Sequence, residues 1–472
     1  MKQVAGRDAV FLYIGKDGAS STVLSCNVLA NPGDLPLGIS HEEMADWALA
    51  RIEVNDLFRS KLVRLPGDIG LPYWIHDPDF SVARHVQIHR PPDRDWVAVR
   101  AMLAGLADAP LDLTRPPWMM HVIPDVENLP DHDGLTSIVA FHFHHVAFDG
   151  ITLGTMSAKM FSDNVITEPS AFVGEGSRST AALTGRELIR FPATAFRFVR
   201  AGVQNYKKAR TNSPAVSASP KGNWPVTRFN GTFRGPRTAD LVSFPRDRVI
   251  DLKARVEGVT VNDLMLSVVG EAVHRYLLAR DEPPASSISS LAPVSTRSIR
   301  AGDTLNQFTF MVIDLHTDEP DLRRRLLTIS EEASAAKARV ATQVEEAPVG
   351  MVAVTPGPVL RLLGYLNQRS KAKMTTPTSP PFNVVVSNVR TPDVERKIFG
   401  INVFRSFGIQ PIATGTTLAH AVVNRLDKIN VSVTVDGSVM PDIGEYCGYL
   451  RDSFRAHEAA LDEFDLPDVV DL

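Results

Sequence analysis

The sequence predicts an α/β protein built as two α/β domains joined by a long connection. Three observations predict it. The chain has 472 residues, too many for one ordinary hydrophobic core. Helical patterns alternate with short β-branched runs on both sides of residues 166–235, as expected for sheets covered by helices. Residues 166–235 are rich in Ser, Pro, Gly and Thr at "TEPSAFVGEGSRST" and "ARTNSPAVSASPKGNWP", the composition of connecting chain. The expected division is a first domain over 1–165, a connection over 166–235 and a second domain over 236–472.

The elements follow in order. "ISHEEMADWALARIEVND" reads as a helix capped by Ser40, with Glu43 three residues later completing a reciprocal cap. "WVAVRAMLAGLADAP" reads as a second amphipathic helix. "LTSIVAFHFHH" is apolar, β-branched and aromatic, and is expected to be a strand. "GITLGTMSAKMFS" follows as a helix. Beyond residue 236, "VNDLMLSVVGEAVHRYLLAR" is a helix, "NVVVSN" and "KINVSVTVDG" are strands, and "EYCGYLRDSFRAHEAALDEF" is a closing helix.

Composition excludes several classes. A net charge of −4 gives no reason to expect nucleic acid as a partner. Cys26 and Cys447 are the only cysteines, which rules out a disulfide framework and fits a reducing cytoplasm. No secretory signal is apparent, and no run approaches about 18 consecutive apolar residues. Any membrane contact is therefore expected to be peripheral.

The chemistry concentrates at "HFHHVAFDG", residues 142–150, where a strand is expected to turn into a helix. Alternation puts His142 and His144 on one strand face, and His145 on the other with Phe141 and Phe143. Three readings compete. A metal site would use His142 and His144 with a further ligand such as Asp149 or His121, but no H-x-H-x-D or H-E-x-x-H spacing is present. A solvated strand end is the bland reading. A proton-transfer site uses an imidazole whose ordinary pKa is about 6.5, so it accepts protons near neutrality. No G-x-S-x-G accompanies the cluster, so such a base would activate a bound substrate directly.

"HHVAFDG" resembles the His-His-x-x-x-Asp-Gly motif of the coenzyme A-dependent acyltransferase superfamily. Further stretches resemble one branch, the bacterial wax ester synthase/diacylglycerol acyltransferases: "RDAVFL", "LPYWIHDPDFSVARHV", "LDLTRPPW", "VNDLMLS", "APVSTR" and "VVVSNVRTP", in that order over nearly the whole chain. The sequence departs from the branch at Pro116-Pro117-Trp118, at His142, and at Arg390-Thr391-Pro392. A lipid-binding relative without activity is the alternative that the first and last of those departures keep open.

The resemblance implies two chloramphenicol-acetyltransferase-like α/β sandwich domains with the active-site channel between them. It implies His145 as general base, taking the proton of an acceptor hydroxyl that attacks an acyl thioester, with His144 beside it and Gly150 closing the motif. Asp149 is implied to be structural, paired with Arg297; the bland reading leaves Arg297 on the surface. Asn262 and Asp263 are implied to support activity, while Thr260 and Asp263 also have the spacing of a capping box. Ser387 and Asn388 would donate to the oxyanion or thioester carbonyl, or simply form a turn. Trp118 is either core or ligand contact. No cofactor and no metal are implied, acyl-CoA being a substrate. The acceptor is expected to be diacylglycerol, with a long-chain alcohol, giving a wax ester, as the rival.

"RELIRFPATAFRFVRAGVQNYKKAR", residues 186–210, stands apart. Leu188, Phe191, Phe198, Val199, Val203 and Tyr206 fall on one helical stripe, with Arg186, Arg190, Arg197, Arg200 and Lys208 on or beside the opposite face. Pro192 is expected to start or kink a helix, splitting the segment. The segment is either a packed connection or an interfacial helix on a membrane or lipid-inclusion surface.

Overall fold

A computed structural model describes residues 1–14, 21–148, 150–162, 173, 179–211, 224–296, 305–346, 351–373, 379–389, 392 and 394–462. Asp149 and Arg297 lie outside them, and their expected pairing with them. The expected helices appear as His41–Ile52, Trp96–Asp108, Gly150–Met160, Val261–Leu278 and Ile443–Asp462. Ser40 and Glu43 form the reciprocal cap, and Thr260 and Asp263 form another.

Two six-stranded mixed sheets carry the fold. The first runs Lys397–Ile398, Ile401–Ile409, Thr22–Ala30, Thr136–His144, Trp118–Val126, Val86–Ile88. The second runs Phe308–Asp314, Ser289–Ser295, Val384–Val389, Leu418–Arg425, Lys428–Asp436, Arg237–Pro245. A small antiparallel sheet of Lys2–Gln3, Tyr73–His76 and Ser60–Val63 lies apart. The first sheet takes strands from both ends of the chain. Ile401–Ile409 pairs antiparallel with Thr22–Ala30, so Ser406 sits opposite Asn27 and donates its hydroxyl to the Asn27 side chain at 3.1 Å.

Every residue of Thr136–His144 is buried, so the strand is covered on both faces. One face sends Val139, Phe141 and Phe143 into a cluster with Phe58, Trp118 and Phe148. The other sends Ile138 and Ala140 into a cluster with Trp96 and Leu103 and with Ala239 and Leu241 of the second sheet. Burying Phe141 or Phe143 contributes roughly 2–3 kcal/mol each. The seam between the sheets is also polar: the Trp96 indole donates to Asp240 at 2.9 Å, and Arg237 pairs with Asp108 at 3.0 Å.

The connection holds a single long helix, Thr180–Thr211, which runs through Pro192. The expected split into two helices there is corrected. Pro192 is exposed, so the carbonyl deprived of its helical partner can be hydrated instead of stranded in a core.

Candidate active site

The strand ends at His144, and His145 lies in the turn that follows. The expectation that His145 completes the strand is thus corrected by one residue. It still lies on the Phe143 side, with ring centroids 6.1 Å apart. His142 and His144 point the other way by alternation. The two adjacent histidines therefore face different surroundings.

His144 is sealed. It is fully buried, and its Nδ1 accepts the Val146 N–H at 3.1 Å. Burial first, and the neighbouring His145 second, push its pKa down to about 3. His142 is pushed to about 3 by burial and then by His121, Arg237 and His144. His121, whose Nδ1 meets His89 Nε2 at 3.0 Å, falls to about 4 through burial and then His89. This face is a row of neutral imidazoles. Their Nε2 atoms have no hydrogen-bond partner among the described residues. Among the described residues, which leave out Asp149, the H-x-H pair is not part of a compact ligand set. The group whose ligand atoms lie within 4.8 Å of one another is Asp314, His316 and Glu332, at the far edge of the second sheet.

His145 is half-buried, and its backbone is fixed from two sides. Its N–H donates to Ser21 O at 2.8 Å. Its carbonyl accepts from Asn306 Nδ2 at 2.7 Å. Asn306 is in turn held by Asp8, a carboxylate only 2 % exposed. The Asp8 oxygens accept the Leu305 N–H at 3.0 Å, and the Asn306 N–H and Nδ2 at 2.9 Å each. Phe11, one helical turn beyond Asp8, stacks on the His145 ring at 5.0 Å. Phe308 follows Phe11 at 6.3 Å, and Phe310, 49 % exposed, follows Phe308 at 5.3 Å. An aromatic run thus leads from His145 to the surface.

The Asp8 clamp and Phe11 give physical content to "RDAVFL": the acid and the ring, three apart, both act on the His145 turn. Asn306 was not among the candidates. Its partner Asp8 is 298 residues away, a separation at which local sequence pattern carries no signal.

The other candidates fall in three places. Trp118 is core: it is 1 % exposed, donates its indole N–H to Phe58 O at 2.8 Å, and stacks on His85 at 4.6 Å and Phe141 at 5.6 Å. Ser387 and Asn388 sit half-buried on Val384–Val389, inside the second sheet beside Ala421 and Val422. They are in register within a strand, so the turn alternative is set aside. The helix Gly150–Met160, which Gly150 opens, packs against this strand. Asn262 and Asp263 open the helix Val261–Leu278. Asp263 accepts from Thr260 N at 2.9 Å, from the Thr260 hydroxyl at 2.7 Å and from Ser330 at 3.3 Å. These contacts are those of a cap and a helix–helix tie.

The arrangement provides a half-buried imidazole on a turn held from two sides, with an aromatic path on one side and a buried imidazole row on the other. Comparison with known proteins shows the family. The C-terminal domain profile of the wax ester synthase/diacylglycerol acyltransferases matches residues 305–457. A Mycobacterium tuberculosis H37Rv protein bearing the name of a diacylglycerol O-acyltransferase is 27% identical over 476 residues, covering 98% of this chain and 97% of that one. A second of that name from the same strain is 26% identical over 406 residues, covering 84% and 83%. The fold is that of the wax ester synthase/diacylglycerol acyltransferase from Marinobacter aquaeolei VT8, with a TM-score of 0.65 at 19% identity, covering 98% of this chain and 100% of that one. It is also that of the trichothecene 15-O-acetyltransferase from Fusarium sporotrichioides, with a TM-score of 0.57 at 14% identity, covering 97% and 95%. The catalytic-domain profile matches residues 4–265, more than half of the chain, and the protein belongs to the wax ester synthase/diacylglycerol acyltransferase family.

Proposed function

We propose that the protein transfers a long-chain acyl group from acyl-CoA to the hydroxyl of diacylglycerol, giving triacylglycerol, with His145 as general base. The observation that carries this reading is the His145 turn, half-buried and held by Asn306 and Asp8 while every neighbouring imidazole of the same strand is sealed. The imidazole takes the hydroxyl proton as the oxygen attacks the thioester carbon. The tetrahedral oxyanion collapses, the carbon–sulfur bond breaks, and the imidazolium returns the proton to the departing thiolate. Protons balance within the cycle, and no cofactor is needed. Holding both substrates on one turn supplies the positioning that such a reaction depends on.

Asp149, Gly150 and Arg297 are proposed to keep the turn in shape, and Ser387 and Asn388 to donate to the oxyanion. Asn262 and Asp263 support the site through their helix end. His144 packs behind the base.

Diacylglycerol resides in membrane, so the reading includes a peripheral place at the inner membrane or at lipid inclusions, reached from the cytoplasm. No helix among the described residues is long and apolar enough to cross a membrane. The helix Thr180–Thr211 supports surface binding. It is anchored by buried Leu183 and by Glu187, which accepts the Tyr73 hydroxyl at 2.6 Å. Outward lie Leu188, Ile189, Phe196, Val199, Val203 and Tyr206, each 48–83 % exposed. The expected stripe is corrected at Phe191 and Phe198, which are half-buried. Arg190, Arg197 and Arg200 are exposed beside the outward stripe. Arg190→Glu, Arg197→Glu and Arg200→Glu together should weaken flotation with anionic liposomes without unfolding the protein, and added salt should do the same.

The test of the reaction is one labelled acyl-CoA offered to a panel of acceptors, with thiol release measured and products identified by mass. Triacylglycerol as the main product supports the reading. Wax ester as the main product would move the acceptor to long-chain alcohols, and acyl-CoA binding without thiol release would make the protein a binder.

A further inference from the structure

A second helix shares the character of Thr180–Thr211. Gly357–Lys373 leaves Leu362, Leu363, Tyr365 and Leu366 between 51 and 55 % exposed. At about 100° per residue these four form one continuous outward face. Arg361 and Arg369 stand exposed on the same helix. The chain carries no acid between Glu346 and Asp393, and none between Glu187 and Asp240. Two basic and outwardly apolar helices, the first with buried Glu187 as its one acid and the second with none, thus occur in a protein whose net charge is −4.

The two helices rest on the same segment. Leu183 of the first packs with Leu65 and Tyr73, and Glu187 lies so close to Gly70 that a Cβ there would stand 2.6 Å from its Cγ. Gly357 of the second lies against the carbonyls of Asp68 and Gly70, where a Cβ would stand at 2.3 and 2.9 Å. Arg361 reaches Asp68 at 3.6 Å. The short helix Met351–Val354, just before Gly357, packs on Thr180–Thr211 itself.

The second helix also touches the candidate active site's support. Gly364 lies against the backbone of Tyr13, its would-be Cβ 2.4 Å from Tyr13 O. Tyr13 and Phe11 share the short helix Phe11–Ile14, and Phe11 stacks on His145.

We propose that Gly357–Lys373 and Thr180–Thr211 form one platform that docks on an anionic phospholipid surface, and that the lipid acceptor reaches His145 from this platform past Phe11. The positive charge and the absence of any exposed acid along the two helices select an anionic bilayer over a second copy of this acidic chain as the occupant. The platform rests on the proposed reaction only for its route to His145.

The experiment uses the full chain with Leu362→Glu and Leu366→Glu combined. Both side chains are more than half exposed, so the fold has no need of them. Flotation is measured on phosphatidylglycerol–phosphatidylcholine vesicles and on phosphatidylcholine alone. Transfer is measured to vesicle-borne diacylglycerol and to a short alcohol in solution. The expected result is at least a tenfold loss of binding to anionic vesicles and of transfer to vesicle-borne diacylglycerol, with transfer to the soluble alcohol unchanged. Unchanged flotation would overturn the platform. So would a drop in oligomeric mass by light scattering with flotation unchanged, which would make the face a contact between copies. Equal loss on both acceptors would overturn the route past Phe11. Anionic-vesicle binding by an unsubstituted protein that transfers to no alcohol would sink the proposed reaction and the route with it, and leave the platform standing.

Discussion

The two sides of one strand end place the same residue type in different surroundings. On one side His121, His142 and His144 are buried, neutral and packed toward the second sheet. On the other, one residue further along, His145 is half-buried, clamped through Asn306 to Asp8 and stacked on Phe11. The residue type is the same. Burial holds the sealed set neutral near neutral pH. A cluster of histidines therefore does not behave as a cluster: the strand's period of two separates a sealed set from a half-buried neighbour.

The clamp is where the comparison is easiest to break. Asp8→Ala leaves three donors, Leu305 N–H, Asn306 N–H and Asn306 Nδ2, without their acceptor. At about 1 kcal/mol each, the loss should be about 3 kcal/mol in denaturant unfolding, and turnover should fall with it because the His145 carbonyl loses its fixed donor. A shift below about 0.5 kcal/mol would mean the clamp carries no weight.

The sealed side has a pH signature. His142 and His144 are held at about 3, against about 6.5 in an unfolded chain. Between those values the unfolded chain binds more protons than the folded one. Stability should be full above about pH 6.5 and fall as acid is added, by about 1.4 kcal/mol per pH unit for each such histidine. His144→Asn keeps an acceptor for the Val146 N–H and removes the titrating ring. Its urea-unfolding free energy should lose less on going from pH 6.5 to 4.5 than that of the unsubstituted protein. An identical slope would show that His144 is not sealed.

Smaller effects sharpen the open side. Phe11→Ala removes the ring stacked on His145, an interaction of about 0.5–1.5 kcal/mol, so turnover should fall roughly three- to tenfold with little change in unfolding. Trp118→Phe, deep in the core, should do the reverse. Losing the bond to Phe58 O should cost about 0.5–1 kcal/mol of stability and leave turnover unchanged. A large loss of turnover without a loss of stability would return Trp118 to the ligand contacts.

Local rules made much of this legible. The caps at Ser40–Glu43 and Thr260–Asp263 follow from a spacing of three, and the strand alternation at Phe141–His144 from a period of two. What stayed hidden depends on distant partners. Nothing near Ile401–Ile409 announces that it pairs with Thr22–Ala30, because an apolar strand fits either sheet. The helix Thr180–Thr211 showed its apolar and basic faces, but which apolar residues turn inward is set by Leu65, Gly70 and Tyr73. The Asn306 clamp needs a loop from the second half placed over a turn of the first.

The central claim is that His145, and not His144, accepts the proton. The direct test is steady-state thiol release from acyl-CoA in the presence of a lipid alcohol, with His145→Ala and His144→Ala measured side by side and their thermal unfolding recorded. His145→Ala should lose roughly 10²–10⁴-fold in kcat with its unfolding midpoint nearly unchanged. His144→Ala should lose stability, since a buried ring and the acceptor for Val146 N–H disappear, but keep turnover within about tenfold of the unsubstituted protein. The opposite pattern, with His144→Ala inactive and His145→Ala still turning over, would contradict the assignment of the two sides.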